Sequence, residues 1–211
     1  MKIISWNCRE ISRPAVVRSL RVLIRYNNLE VLFLSETKAS PSLSSFILNQ
    51  LGFYSMAHVA HSGLSGGLVL AWQTGVELEC FLTNKHNISA WCYSDPPSSP
   101  WIFSCLYGSP KKRNKLAFWD SLTIVGENFA CPWLCIGDFN HVLDQSEKLG
   151  GRPVASSSHY PFKHFIDHHG LVDLGFVGNL FTWSNNRQGP DTIKERLDKG
   201  LASIDWIHLH P

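Results

Sequence analysis

Trp133-Leu134-Cys135-Ile136-Gly137-Asp138-Phe139-Asn140 is an apolar run that ends in a glycine and two polar side chains. Its length and hydrophobicity suit a buried strand, and such a strand presents chemistry at its tip. Side chains alternate along a strand, so Asp138 and Asn140 share one face while Phe139 turns to the other and anchors the core. Gly137 lets the backbone bend where the polar pair emerges. Gly, Asp and Asn also build ordinary turns, and in isolation the stretch reads equally well as one. The functional reading gains because three other apolar runs end in the same way.

Lys2-Ile3-Ile4-Ser5-Trp6-Asn7 delivers an amide, Glu30-Val31-Leu32-Phe33-Leu34-Ser35-Glu36 a carboxylate, and Trp101-Ile102-Phe103-Ser104-Cys105-Leu106-Tyr107 a phenol. The continuous hydrophobicity of the second run predicts a central strand. Helical spacing appears between these runs. Ser12-Arg13-Pro14 opens a helix with Val16, Val17, Leu20, Leu23 and Ile24 on one side and Arg18, Arg21 and Arg25 on the other, a basic face that reads as solvated surface. Ser40-Pro41 is a cap and first-turn pair for a helix carrying Leu43, Phe46, Ile47 and Leu51 and stopping at Gly52. Phe118, Trp119, Leu122 and Val125 mark a third helix, and Phe162, Phe165 and Ile166 a fourth. Further strands are predicted over 53–59, 67–72, 76–82, 88–93 and 176–183, and in 193–201, where period two puts Arg196 and Asp198 together. The glycine-rich Ser62-Gly63-Leu64-Ser65-Gly66-Gly67 lacks the Lys-Ser/Thr ending of a phosphate loop and reads as a hairpin connection.

Strands alternating with helices and hairpins imply a layered α/β domain, and ligands in such sheets gather where strand ends meet. Asn7, Glu36, Tyr107, Asp138 and Asn140 are therefore expected to line one rim and to seat a divalent ion against a phosphate ester. Glu36 and Asp138 offer hard oxygens suited to magnesium, while the amides and the phenol supply uncharged hydrogen bonds. Such a cation neutralises phosphate charge and stabilises a leaving oxygen. A base or positive partner for the attacking water is still needed, and that is usually a histidine held by an aspartate.

The bulk properties fit one domain spanning residues 1–211: apolar residues make up 44% and charged residues 17% of the chain. A net charge of +2 is too small for the whole surface to trap a polyanion, so nucleic acid must be met by a local patch. Lys111-Lys112-Arg113 is the densest positive run. No run approaches the roughly 18 apolar residues of a membrane span, and the N-terminus meets Asn7 and Arg9 too early for a signal peptide, so a soluble, intracellular protein is expected. The six cysteines read as reduced, since Cys92, Cys105 and Cys135 lie within apolar runs. His164 and His168 stand one helical turn apart, but no Glu makes them a His-Glu-x-x-His metal site.

Six segments in order carry a resemblance: Ser5-Trp6-Asn7-Cys8-Arg9, Ser35-Glu36-Thr37, Leu106-Tyr107-Gly108, Gly137-Asp138-Phe139-Asn140, Phe181-Thr182-Trp183-Ser184-Asn185 and Glu195-Arg196-Leu197-Asp198. Over nearly its whole length the chain resembles the endonuclease/exonuclease/phosphatase superfamily, in particular the endonuclease domain of plant non-LTR (LINE-type) retrotransposons, themselves similar to apurinic/apyrimidinic endonucleases. The resemblance implies a four-layer α/β/β/α sandwich of two packed mixed sheets and magnesium-dependent nicking of DNA, with manganese as a substitute. It implies that Glu36 binds metal, that Asn7 and Asn140 hold metal or phosphate, that Asp138 orients or deprotonates water, that Tyr107 contacts phosphate and that Asp198 supports a catalytic histidine. Lys111, Lys112, Arg113, Trp183, Asn185 and Arg187 are the expected contacts to the DNA backbone. A monomer in the nucleus, linked to a reverse transcriptase in a longer polyprotein, completes the expectation.

Two departures stand out. Glu10 occupies a position where the family ordinarily has glycine, which alters a tight turn or adds a carboxylate near the metal. The family's closing Ser-Asp-His segment is absent after Arg196-Leu197-Asp198, and Asp167-His168, which precedes it in a helical pattern, is no substitute. The expectation is thus a C-terminally shortened domain that lacks its last strand and cleaves poorly. Two alternatives remain at this point: a non-catalytic DNA-binding remnant, and a phosphomonoesterase or phosphoinositide phosphatase on the same scaffold.

Overall fold

The computed structural model describes residues 1–63 and 65–211, without the side chains of Ser62, Ser65, Lys112 and residues 156–159. Its contacts gather into two compact units, Met1–Tyr107 and Gly108–Pro211. The class is the expected mixed α/β, with two large mixed sheets and five helices among the described residues.

In the first unit, β1 (Ile3–Asn7) runs parallel to β2 (Val31–Ser35), and α1 (Pro14–Asn27) makes the crossover between them. The helix starts on Pro14, whose missing N–H costs nothing in a first turn, and ends at Asn28 in the left-handed conformation. β2 then pairs antiparallel with β4 (Ser65–Trp72), and β4 with β3 (Ser55–Ser62), giving the order β1-β2-β4-β3. All five residues of β2 are buried, as befits a strand with neighbours on both sides. α2 (Pro41–Asn49) is capped by the Ser40 hydroxyl, which accepts the Leu43 N–H at 3.2 Å.

Leu20 and Ile24 of α1 and Ile47 and Leu48 of α2 close over Leu32, Leu34, Val69 and Ala71. Alternation sends Phe33, Leu68 and Leu70 to the other face, where they too are fully buried. An antiparallel meander of β5 (Leu78–Asn84), β6 (Asn87–Cys92) and β7 (Trp101–Tyr107) packs there, β6 against β4 and β5 against β3. Helix, sheet and sheet are thus stacked within this unit. The glycine-rich segment is the β3–β4 hairpin, with Ser62 opposite Ser65; Leu64 at its tip lies outside the described residues.

The second unit contains α3 (Lys115–Asn128), β8 (Trp133–Asp138), β9 (Lys148–Leu149), α4 (Ser156–His169), β10 (Leu171–Asp173), β11 (Trp183–Ser184), β12 (Lys194–Glu195), β13 (Asp198–Ser203) and α5 (Ile204–Leu209). β13 lies antiparallel between β8 and β10, and β12 between β9 and β11. The predicted stripe of α3 is buried in full, and Trp119 stacks on Phe162 of α4 at 4.6 Å. The strand predicted over 176–183 does not form, and only Trp183–Ser184 pairs. Gly175 and Gly178 both adopt positive φ, turning the chain twice within four residues and leaving Val177 fully exposed. All six cysteines are free thiols.

Candidate active site

The parallel register of β1 and β2 sets Asn7 opposite Ser35, so the amide and the next residue, Glu36, emerge from adjoining strand ends. Glu36 sits at φ +57° in a loop held by main-chain bonds: Thr37 N–H to Gly67 O and Lys38 N–H to Gly66 O, both 3.2 Å, and Glu10 N–H to Glu36 O at 2.7 Å. A Cβ at Gly67 would run into the Thr37 hydroxyl, which is why the hairpin approaches this loop through glycine. The Tyr107 hydroxyl donates to Oε1 of Glu36, across 71 residues of sequence. Tyr107 is itself fixed by His86, whose carbonyl accepts its N–H at 2.8 Å and whose Nδ1 lies 2.9 Å from its carbonyl oxygen.

Lys38 Nζ stands 3.3 Å from Oε2 of Glu36. That ammonium was not anticipated, and any cation on Glu36 competes with it. One carboxylate and one amide at neighbouring strand ends fit a small hard ion that keeps most of its water, the habit of magnesium. No group of three His, Cys, Asp or Glu side chains gathers to hold a metal ion among the described residues.

Glu10 resolves in favour of the altered turn. It adopts φ +97° after Arg9 at φ +48°, and its carboxylate turns to Arg13 Nε at 2.8 Å and the Ser12 hydroxyl at 3.3 Å. The Arg13 hydrogen bond holds the Glu10 carboxyl below its usual range. Glu10→Gly removes a strained conformation at the cost of one exposed ion pair, and is expected to raise the urea midpoint by roughly 0.5 M. A midpoint that falls instead would show the Arg13 pair to be worth more than the strain.

In the second unit the register pairs Asp138 at the end of β8 with Asp198 at the start of β13. Asp138 is buried, and its Oδ1 accepts the Asn140 N–H at 2.9 Å. Asn140, at φ +49°, donates its side-chain amide to Gly108 O at 2.9 Å, and its main-chain carbonyl accepts Lys115 Nζ at 2.7 Å. Phe139 turns into the core as expected, with its N–H on Leu197 O at 2.8 Å. Gly108 N–H reaches Asp138 O at 2.7 Å, and a Cβ on Gly108 would collide with the Phe139 carbonyl. Burial pushes the Asp198 carboxyl up, partly offset by a hydrogen bond from Thr182, whose hydroxyl also receives the N–H groups of Leu197 (3.0 Å) and Asp198 (3.1 Å).

Behind these tips lies a charge network. Lys199 Nζ, whose side chain is fully buried, is 3.0 Å from Glu147 Oε2 and donates to the carbonyls of His141 (3.1 Å) and Arg196. Arg196 spans Glu147 Oε1 at 3.1 Å and both Asp173 oxygens at 2.7 and 2.8 Å. Glu147 Oε2 also accepts the Leu143 N–H at 2.6 Å. Arg196 thus turns to Asp173 and Glu147 rather than joining Asp198, because the chain passes from β12 to β13 at Arg196-Leu197 and alternation breaks there. Lys199 is buried in β13 together with Leu201 and Ala202, on a strand whose other residues are partly exposed.

Among the expected DNA contacts, Lys111, Arg113 and Arg187 are exposed and Trp183 is half-buried; the Lys112 side chain lies outside the described residues. The Asn185 amide is engaged in its own loop, accepting from Arg187 N–H (3.2 Å) and Ile193 N–H (3.1 Å) and donating to Asp191 O (2.8 Å). The His164 and His168 rings stack at 5.8 Å, and His168 Nε2 lies 3.5 Å from a Glu127 oxygen.

Residues 4–203 match the Endonuclease/Exonuclease/phosphatase family. The chain belongs to that family. Solved structures of similar fold include a 3′ phosphatase from Neisseria bound to product DNA hairpin, at 18% identity and TM-score 0.73, covering 97% of this chain and 87% of that one. The AP endonuclease of Leishmania major shows 18% identity and TM-score 0.74, with 96% and 79% covered. The endonuclease domain of TRAS1, a telomere-specific non-LTR retrotransposon, shows 12% identity and TM-score 0.72, with 98% and 86% covered. No curated protein matches the chain significantly by sequence. The Endonuclease/Exonuclease/phosphatase assignment bears out the resemblance read from the six segments, and the likenesses confirm the expected fold. No helix among the described residues is long and apolar enough to cross a membrane.

Proposed function

We propose that this chain is a divalent-metal-dependent DNA phosphodiesterase of the nicking endonuclease type, of retrotransposon origin, and that the polypeptide 1–211 turns over slowly. The observation that carries the reading is the Tyr107 hydroxyl on Glu36, with Asn7 at the adjoining strand end: a carboxylate, an amide and a phenol on fixed backbone. Glu36 and Asn7 hold the metal. When bound, magnesium supplies neutralisation of phosphate charge and stabilisation of the leaving oxygen.

The chain's own groups do the remainder. Tyr107 keeps Glu36 oriented and offers its phenol to a phosphate oxygen. Asp138, held by the Asn140 N–H, orients the attacking water or takes its proton, and the Asn140 amide holds phosphate. Lys111, Lys112, Arg113, Trp183 and Arg187 grip the DNA backbone. Asp198 is the carboxylate that orients an imidazole, and no Ser-Asp-His segment follows it within these residues. Loss of such a general base costs about 10²- to 10⁴-fold, which is the basis for slow turnover.

Supercoiled plasmid incubated with the protein in magnesium or manganese is expected to relax to nicked circles, to stay intact with EDTA, and to relax about 10²- to 10⁴-fold more slowly than with an AP endonuclease. No nicked product at micromolar protein, together with no effect of magnesium on the melting temperature, would overturn the reading. Release of phosphate from an inositol phosphate in preference to plasmid nicking would move the substrate class to phosphomonoesters.

A further inference from the structure

The catalytic reading makes no use of the outer face of α1. The helix buries Leu20 and Ile24 and half-buries Val16, Val17 and Leu23 on one side. At about 100° per residue, Arg18, Arg21, Val22, Arg25 and Tyr26 fall within an arc of roughly 140° on the opposite side. All five are exposed, Val22 at 66% and Tyr26 at 86%. α1 contains no acidic residue, and among the described residues none of these three arginines has an ion pair, whereas Arg13 at its entry is already paired with Glu10.

A helix face solvated for its own sake commonly mixes signs, because like charges three and four residues apart repel by a few tenths of a kcal/mol. Here three guanidiniums stand at i, i+3 and i+7 with nothing to offset them. The group that relieves this repulsion is an array of anions of similar pitch. Arg18 to Arg25 spans about 10 Å along the axis, the rise of roughly three nucleotides at ~3.4 Å each. The planar guanidinium fork suits phosphate, and an exposed tyrosine beside it suits the face of an unpaired base.

We propose that the outer face of α1 is a second nucleic-acid surface, separate from the candidate active site, at which Arg18, Arg21 and Arg25 hold the phosphates of a single-stranded segment and Tyr26 stacks on a base. Its position follows from topology. β1 and β2 are parallel, so α1 carries the chain from the end of β1 at Asn7 back to the start of β2, where Val31 N–H meets Lys2 O at 3.1 Å. Arg25 and Tyr26 therefore lie toward the edge of the sheet opposite to Asn7 and Glu36. Such a surface retains one strand while another is presented for cleavage, and the binding itself does not depend on cleavage.

The test is binding of a fluorescent 20-nucleotide single strand by the full chain in EDTA, over a range of salt. Arg18→Gln/Arg21→Gln/Arg25→Gln is expected to weaken binding roughly fivefold or more and to reduce the slope of log affinity against log salt by about 2, at ~0.7 per phosphate. Tyr26→Ala is expected to weaken binding with the slope unchanged. An unchanged melting temperature in each variant shows that the fold is intact. Wild-type affinity and slope in the triple variant overturn the proposal, as does loss of binding to phosphatidylserine vesicles or to an acidic peptide with oligonucleotide binding kept. Because no metal is present, failure of this surface and failure of the nuclease reading give separate results.

Discussion

Lys199→Ala is expected to destabilise the protein by about 3–5 kcal/mol, measured as the urea unfolding free energy, although the residue touches neither Asp138 nor Asp198 through its ammonium. The size comes from what is left behind rather than from what is removed. Glu147 loses one of its two cationic partners while buried, and the carbonyls of His141 and Arg196 lose their donor. Burial holds the Lys199 ammonium below its usual pKa and Glu147 raises it again, so the pair is a compensated cost rather than a net gain. Replacing both partners, Lys199→Met with Glu147→Gln, is accordingly expected to cost less than the sum of the single changes. A fully additive cycle would show that the two do not act as a pair.

The same network sets the acid limit of the fold. Burial raises the Asp173 carboxyl, but the Arg196 hydrogen bonds outweigh it and the net shift is downward. A carboxyl depressed in the folded state adds stability above its unfolded pKa of about 3.9, and that stability is lost as pH falls through the folded value. Acid unfolding is therefore expected to begin below about pH 4, and Asp173→Asn to flatten stability in that window.

Glu36→Gln is expected to lower metal-dependent nicking by at least about 10²-fold with little change in stability. The amide is close to isosteric and can still accept the Tyr107 hydroxyl, so the change removes charge and leaves the geometry in place. Any rise in melting temperature on adding magnesium should vanish with it. Lys38→Met is expected to act in the opposite sense on metal affinity, because the ammonium now 3.3 Å from Glu36 no longer competes. Magnesium binding retained in Glu36→Gln, or weakened in Lys38→Met, would place the metal elsewhere.

The features legible in the sequence were those that short-range periodicity encodes. An unbroken apolar run followed by a polar residue located β1, β2, β7 and β8 and their tips, and the four-residue stripe of α3 placed Trp119 in the core. Ser40-Pro41 announced its cap because capping is a local hydrogen bond. The strand misread over 176–183 shows the limit of period two: apolar residues continue across the segment, but Gly175 and Gly178 take the backbone out of the extended region. The network of Glu147, Asp173, Arg196 and Lys199 was not legible at all. Its members come from three separate segments and meet only once β13 has settled between β8 and β10. Lys38 is hidden in the sequence for another reason: its nearness to Glu36 depends on left-handed conformations at both residues, which no pattern of side chains declares.

Gly108 carries a consequence for inheritance. Every amino-acid replacement at a glycine codon adds at least a methyl-sized branch, and here the Phe139 carbonyl already occupies that space. A gene copy freed from selection accumulates missense changes at random, and at this codon any such change strikes the polypeptide's shape while each reactive group is still encoded. Among copies of such a gene, a missense change at the Gly108 codon therefore marks a product whose shape is disturbed although its reactive groups are all still encoded.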